Sequence, residues 1–400
     1  MKILFLCHRL PFPPDRGSRI RAFHLLEHLG RSHEVTVATL VRGPDEEEGV
    51  REVRVRCAKL LTGQAQTVAS GWRALSRLPT PVPSSIAYFH SAQLAALVEA
   101  ELANARYDLV LAHSSSMAPY VARANVPRML DFADMDSQKW LAYARYRRFP
   151  LSVGYELEGR KLRRAEAAWL GEFDLATCAT TDELDALRSY GVPGRSDWFP
   201  NGVDGDYFRP VESPPDPETV CFLGRMDYFP NVECMVRFCS ETLPLLRRRR
   251  PGIRLSIVGA TPARAVWRLA REPGVTVTGT VADVRPYAWR ASVSVAPLQI
   301  ARGTQNKILE SLAMGIPVVC STLAARGVDA MPGEHVTTAD EADAFAAAIL
   351  SLLENPSQRR RLAEAGRRRM LSHHSWARSM QRLDELLEEC VATHRARVPR

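Results

Sequence analysis

Along the whole chain, short β-branched apolar runs alternate with longer stretches of helical periodicity. In the first half the runs Lys2–Cys7, Glu34–Leu40, Val53–Cys57, Asp108–Ala112, Pro127–Asp131 and Asp174–Ala179 predict strands. In the second half the same pattern predicts strands at Thr219–Leu223, Arg254–Val258, Val275–Thr278, Ser292–Ala296, Pro317–Cys320 and Val336–Thr338. Between them lie amphipathic stretches such as Ser18–Leu29, where Ile20, Phe23, Leu26 and Leu29 mark one helical face. Strand-helix alternation of this kind predicts an α/β protein with doubly wound parallel sheets covered by helices on both faces. Asp206–Glu218, with Pro210, Pro214, Pro215 and Pro217, has the composition of an extended linker. The chain therefore divides into a domain over residues 1–205, a linker over 206–218 and a domain over 219–375. A last amphipathic helix from Trp376 to about Cys390, within 376–400, is expected to pack back on the first domain.

Composition narrows the class. Four hundred residues at 46% hydrophobic content can bury two ordinary cores. No run approaches the roughly 18 uninterrupted apolar residues of a spanning helix. The opening Met1 to Arg9 reads better as a first strand than as a signal peptide, because Arg9 and Pro11 break its apolar run. The eight cysteines are scattered without Cys-x-x-Cys spacing, which suits small core residues in a reducing, cytoplasmic setting. The net charge of +8 is carried by arginine runs at 247–250, 359–361 and 367–369. Such charge suits solvated helix faces, phosphorylated small molecules or the inner face of an anionic membrane. Without a helix-turn-helix, zinc finger or RNA-binding aromatic signature, nucleic acid is not an expected partner.

Chemistry concentrates in Ala296 to Cys320. A strand ends near Pro297, a loop with Gly303 follows, and a helix is expected to begin around Thr304 as N-cap and to stop at Gly315 and Pro317. At 100° per residue Asn306, Lys307 and Glu310 share one face, and Ile308, Leu309 and Leu312 the other. A glycine-opened helix start offers free amides aligned with the helix dipole, which suits a diphosphate. Lys307 would add a cation, and Glu310, one turn deeper, would accept hydrogen bonds from two ribose hydroxyls. A merely solvated polar helix face is the alternative. A second cluster runs from Val220 to Asn231: a strand reaches Gly224, and Arg225 follows at its carboxyl end, where a guanidinium can hold phosphate or pair locally with Asp227.

These segments resemble glycosyltransferase family 4, retaining enzymes of the GT-B architecture. More narrowly the chain is similar to bacterial transferases associated with exopolysaccharide and PEP-CTERM-type export. The matching motifs are Pro11 to Gly17, Asp108 to Ser114, Asp131 to Trp140, Pro200 to Asp204, Phe222 to Asn231, Gly279 to Asp283 and Gly303 to Pro317. The resemblance implies two Rossmann-like domains facing across a cleft. It also implies a nucleoside diphosphate sugar donor, a UDP- or GDP-sugar bound without metal or other cofactor, and transfer to a saccharide or polyprenyl-linked acceptor with retention. By the same resemblance Glu310 binds the ribose, while Gly224, Arg225, Gly303 and the amides of Thr304, Gln305, Asn306 and Lys307 bind the diphosphate. Gly17 lets backbone approach the donor phosphate or acceptor, His113 lines the sugar side, and Thr280–Asp283, with Val281, borders the base. Arg225, Lys307 and His113 are the expected catalytic groups. Two departures stand out: Arg302 occupies the position of a frequent sugar-contacting glutamate, and Tyr228 to Asn231 replaces a common lysine, leaving Lys307 to substitute.

Other features fit less closely. Asp134-Met-Asp136 resembles a metal signature of another transferase fold, but local hydrogen bonding of Asp134, Asp136 and Ser137 is the expectation here, and no metal is expected. His8 follows the first strand and stands apart from the other histidines. Thr67–Leu78, with Val68, Trp72, Leu75 and Leu78, and the basic Arg145–Arg164 region are either ordinary helix faces or a membrane-resting surface. Two rival activities remain open, a nucleotide-sugar epimerase or hydrolase on the same domains and a basic non-catalytic protein binding polysaccharide or nucleic acid. The absence of Gly-x-Ser-x-Gly, His-Glu-x-x-His and P-loop patterns argues against common hydrolases and P-loop enzymes.

Overall fold

The computed structural model describes residues 1–65 and 67–397, without the side chains of Pro44 and residues 67–70. It consists of two compact α/β units. One comprises Met1–Pro200 with the C-terminal helix from Ser379 onward, the other Asn201–Arg378.

The first unit is built on strands β1 (Lys2–Cys7), β2 (Glu34–Val41), β3 (Lys59–Gln64), β4 (Leu109–His113), β5 (Arg128–Ala133), β6 (Leu175–Cys178) and β7 (Ser196–Trp198). They form one parallel sheet in the order β3-β2-β1-β4-β5-β6-β7. The winding reverses between β1 and β4, the position where such sheets open at their carboxyl ends. Nearly continuous burial of β1, β2 and β4 follows from helices on both faces.

The second unit repeats the plan with β8 (Asp216–Leu223), β9 (Arg254–Val258), β10 (Val275–Val277), β11 (Ala291–Ala296), β12 (Val318–Cys320) and β13 (Thr337–Thr338). Their order is β10-β9-β8-β11-β12-β13, all parallel, with the reversal between β8 and β11. A core of Val220, Phe222, Leu255, Ile257, Val293 and Val295 fills the sheet, with Ile308, Leu309 and Leu312 packed on it from one helix.

Three local expectations need correction, and one strand was not expected. Val53–Cys57 is not a strand: Val53 and Arg54 lie in the last turn of the helix Glu47–Arg54, and the strand lies later, at Lys59–Gln64. The Val-Arg alternation mimics period two, but Glu47 and Glu48 in the first turn with Arg51 and Arg54 in the last complement the helix dipole, and Gly49 and Val53 share the buried face. The Gly17–Ser32 helix buries Arg21, Ala22, Leu25, Leu26 and Leu29, rotated from the expected face that held Ile20 and Phe23. A buried ion pair at Arg21, described below, sets that rotation. β7 carries no apolar alternation in Ser-Asp-Trp and is held by its pairing with β6. The C-terminal helix runs past Cys390, from Trp376 to Arg397.

Candidate functional site

In the second unit the loops after β8, β9 and β11 come together at the carboxyl edge of the sheet. The Gly224 amide donates to the Val258 carbonyl at 3.0 Å and the Met226 amide to Ala260 at 2.9 Å, lacing the β8 and β9 loops together. Only glycine fits at 259, where a Cβ would lie 1.8 Å from the Gly224 carbonyl oxygen. Two residues on, Thr261 holds φ at +51°, an unusual state for a β-branched residue. Its hydroxyl accepts from Arg225 Nη2 at 2.9 Å. Asp227 also receives Arg225, Nε at 3.1 Å and Nη2 at 2.9 Å, so the guanidinium is oriented by two neighbours. The local Arg225–Asp227 pair weighed from sequence thus exists. It is a half-exposed contact, of the kind worth at most about 1 kcal/mol, and so one that a doubly charged ligand can outcompete.

Lys307 reaches the same place from the other side of the switch. Its Nζ donates to Asn231 Oδ1 at 3.1 Å and lies 5.3 Å from the Phe222 ring centroid. Asn231 in turn donates to the Arg225 carbonyl at 2.7 Å, and Lys307 Cε is 3.3 Å from where a Gly224 Cβ would stand. Gly224, Arg225, Asn231 and Lys307 are therefore one cluster. Burial lowers the Lys307 ammonium, offset by the fields of Cys234 and Glu310.

Lys307 belongs to the helix Asn306–Ala313, so the helix starts later than expected. Gln305 is the N-cap and makes no side-chain cap, while the Thr304 hydroxyl is buried without a partner. The reason lies in the preceding turn. Gly303, at φ +59°, turns the chain, and Gln305 Nε2 folds back on the Arg302 and Gly303 carbonyls at 3.1 and 3.4 Å. The Gln305 side chain is thus committed to its own loop. Among the described residues the Asn306 and Lys307 amides meet no acceptor, as first-turn amides do. Asn306 Oδ1 accepts from Asn201 Nδ2 at 3.4 Å.

Glu310 lies one turn on. Ile308, Leu309 and Leu312 are buried beneath it, while Glu310 keeps partial exposure. No hydrogen-bond or ion-pair partner reaches its carboxylate among the described residues. Burial raises it to about 7, with Lys307 pulling the other way. An unpartnered carboxylate at that depth is an acceptor held ready for a ligand's hydroxyl groups. Val281 is partly buried against Leu223, Val258 and Ile316, beside the β8 and β9 ends.

His113 and Gly17 belong to the first unit. Gly17 opens the Gly17–Ser32 helix, and its neighbour Ser18 offers a carbonyl 3.3 Å from His113 Nε2. His113 Nδ1 meets Asp131 Oδ2 at 2.8 Å, and only 1% of His113 is exposed. With both nitrogens engaged and the ring covered, His113 is a buried strut, not an open group lining a surface. Asp131 also takes Arg21 Nε and Nη2 at 2.8 and 2.9 Å and Thr177 Oγ1 at 3.1 Å. Burial alone would raise the Asp131 carboxyl, but the charge of Arg21 and the hydrogen bonds from His113 and Arg21 hold it far below the carboxylate range. Asp136 accepts from Ser115 Oγ at 2.7 Å, and Ser137 donates its amide to Glu166 at 2.9 Å.

Sequence reasoning missed Gly259, Thr261 and the Arg21–Asp131 pair. Gly259 and Thr261 sit in Gly259-Ala-Thr261 after β9, whose only signal is a glycine at a strand end. Their importance depends on β9 lying beside β8, which spacing along the chain does not reveal.

Comparison with known proteins bears on the two-domain fold. Residues 16–207 match the family model Glycosyltransferase Family 4, and residues 217–355 match Glycosyl transferases group 1. D-inositol 3-phosphate glycosyltransferase 2 of Catenulispora acidiphila is 28% identical over 47% of this chain and 49% of its own length. The GDP-mannose-dependent alpha-(1-6)-phosphatidylinositol monomannoside mannosyltransferase of Mycolicibacterium smegmatis is 28% identical over 50% and 58%. The chain thus spans about half the length of the curated relatives it matches. Among solved structures, sucrose-phosphate synthase from Thermosynechococcus elongatus aligns with TM-score 0.75 at 19% identity, over 98% of this chain and 99% of that one. Anabaena HepE in complex with UDP-glucose aligns with TM-score 0.69 at 16% identity, over 97% and 99%. Two doubly wound units, matched in order by these two domain models, have the two-domain fold of the GT-B type.

Proposed function

We propose that the chain transfers a sugar from a nucleoside diphosphate sugar to an acceptor hydroxyl, with retention of anomeric configuration. The observation that carries this reading is the unpartnered Glu310 carboxylate, one turn beyond two open helix amides and beside the Arg225–Asn231–Lys307 cluster. Glu310 would take the ribose hydroxyls, and the Asn306 and Lys307 amides with Lys307 and Arg225 would take the diphosphate. The bond between the anomeric carbon and the diphosphate oxygen breaks, and its electron pair moves to that oxygen. Arg225, Lys307 and the amides stabilise the growing charge. The acceptor oxygen bonds to the same face of the sugar while its proton passes to the departing phosphate oxygen. Protein cations supply the positive charge at the diphosphate, so the proposal includes no metal.

The donor is proposed to be a UDP- or GDP-sugar: HepE is described in complex with UDP-glucose, and the mycobacterial relative is GDP-mannose-dependent. With Arg302 at the position of the family's frequent sugar-contacting glutamate, the donor sugar is read differently from the broad family. The acceptor is proposed to be a saccharide or a polyprenyl-linked one in cell-surface glycan synthesis, approached at the inner face of the cytoplasmic membrane. Supporting this, the first unit exposes Trp72, Leu75 and Leu78 on one segment and Phe149, Leu151 and Leu157 on another. Lys161 ties the two together by donating to the Arg77 and Leu78 carbonyls at 3.0 and 2.7 Å. Arg145, Arg147, Arg148 and Arg160 interleave with the second segment, a mixture suited to an anionic interface. Val68, expected on the same face, has its side chain outside the described residues.

A thermal-shift panel of UDP, GDP, ADP and dTDP, followed by the matching sugars, tests the reading. Glu310→Ala is expected to weaken nucleotide binding and Arg225→Ala mainly to lower turnover. Unchanged donor affinity and activity in both variants would remove the assignment. Rapid isomerisation or stoichiometric hydrolysis of donor without acceptor would point to an epimerase or hydrolase. Salt-sensitive nucleic-acid or polysaccharide binding without nucleotide affinity would point to a non-catalytic role.

A further inference from the structure

The first unit carries a second concentration of positive groups, at the carboxyl ends of β1 and β2. His8 and Arg9 follow β1, Arg42 follows β2, and all three gather on Phe89. The Arg9 and Arg42 guanidinium carbons each lie 5.7 Å from the Phe89 ring centroid, and the His8 ring is 5.2 Å from it, edge-on. Neither Arg9 nor Arg42 has a carboxylate within ion-pair distance among the described residues. Nearby acids are taken: Glu46 receives Arg19 Nη2 at 2.6 Å and the Arg42 amide at 2.9 Å, and Asp15 lies 3.5 Å from Arg19 and 4.0 Å from Arg16. His8 Nδ1 is buried without a partner. Arg42 is open to solvent and Arg9 partly so, which leaves the cluster reachable.

Two guanidinium groups brought to one ring repel each other, and a single phenyl ring offers only weak compensation. Burial, then Arg42, Arg16 and Arg19, bring Arg9 down to about 10, and burial followed by the field of Arg9 pushes the His8 imidazole well below its ordinary value. Such an arrangement is relieved by an anion seated between the forks. The carboxyl edge of a doubly wound sheet is also where such a ligand binds.

We propose that Arg9 and Arg42, backed by Phe89 and His8, bind an anionic group, phosphate or carboxylate, on the acceptor. This rests on the sugar-transfer reading for the word acceptor, but the anion site itself does not. The test uses the full-length protein in phosphate-free buffer with saturating UDP, and inorganic phosphate as probe. Wild type is expected to bind phosphate, and the Arg9→Gln/Arg42→Gln double variant to lose at least about ten-fold in affinity. Arg9→Lys/Arg42→Lys, which keeps the charge but not the fork, is expected to fall between. Circular dichroism and the UDP-induced thermal shift, read in every variant, report separately on folding and on the nucleotide site. Two further arms identify the source: a polyprenyl phosphate in neutral detergent micelles, and an oligosaccharide bearing glucuronate beside its neutral counterpart. Binding of either that is lost in the double variant supports the site and names its ligand. Equal phosphate affinity in wild type and in a folded double variant overturns it.

Discussion

At the scale of single residues, burial and partnership separate groups that look alike in sequence. Glu310 and Asp131 are both carboxylates in apolar surroundings. Asp131 is saturated by Arg21, His113 and Thr177 and held charged, whereas Glu310 has no partner among the described residues and is raised to about 7. The sign for Glu310 follows from that rise. Its contribution to stability is complete below the ordinary glutamate value of about 4.3 and is lost as pH climbs through about 7. Ligand binding runs the opposite way if the carboxylate accepts ribose hydroxyls. For a nucleoside diphosphate sugar, whose diphosphate does not titrate in this range, affinity should fall about ten-fold from pH 8 to pH 6. Titration calorimetry at several pH values checks this, with Glu310→Gln expected to give weaker, nearly flat affinity. A wild-type profile as flat as that of the variant would mean Glu310 does not meet the ligand. The arginine runs divide in the same way. Arg367 donates to the Ala313, Phe208 and Gly205 carbonyls, satisfying the end of the Asn306–Ala313 helix, and Arg369 pairs with Asp329 at 2.7 Å. Net charge alone does not distinguish such anchors from solvated cations.

At the scale of elements, the site depends on how closely two loops approach. The β8 and β9 loops touch through Gly224 and Gly259, and Arg225 hangs from that junction by Thr261 and Asp227. A methyl group at 259 would meet the Gly224 carbonyl oxygen at 1.8 Å, so Gly259→Ala must part the loops. The expected outcome is a loss of nucleotide affinity larger than that of Arg225→Ala, with a lower melting temperature, because both the guanidinium and the Gly224 amide shift. Nucleotide affinity close to wild type in Gly259→Ala would show that the junction yields without disturbing the site. Much of this was readable beforehand: strand ends at Leu223, Val258 and Ala296, the glycine at 303 and the polar stripe of Asn306, Lys307 and Glu310 follow from period and punctuation. The position of the helix start was not, because Gln305 folding back on its own loop is a tertiary choice that overrides the capping preference of Thr304. The strand expected at Val53–Cys57 failed for a related reason, since alternating Val and Arg fits both periods until packing decides.

At the scale of the whole molecule, the fold class was legible because short strands separated by helical stretches, thirteen among the described residues, admit few other solutions. The last helix contributes to the core of the first unit from the far end of the sequence. Leu383, Leu386, Leu387 and Cys390 are fully buried along it. Around them His28 meets Asp384 at 2.8 Å, Asp197 takes Arg382 at 2.8 Å, Glu389 takes Arg195, and Asp174 meets His394 at 3.1 Å. The exposed members of these pairs add little, so the leucines decide the matter. Each buried leucine contributes roughly 1.5–3 kcal/mol, and three of them approach the roughly 5–15 kcal/mol that holds a typical domain together. Removing the chain after Arg378 should therefore unfold the first unit near room temperature and leave the second, with Arg225, Lys307 and Glu310 all inside it, intact. Calorimetry of the truncated protein is expected to show one surviving transition that a saturating nucleoside diphosphate still raises, because the ligand binds only the folded second unit. Two transitions at their full-length temperatures would mean the helix is dispensable. Loss of the nucleotide-responsive transition would mean that the second unit depends on this helix for its own stability.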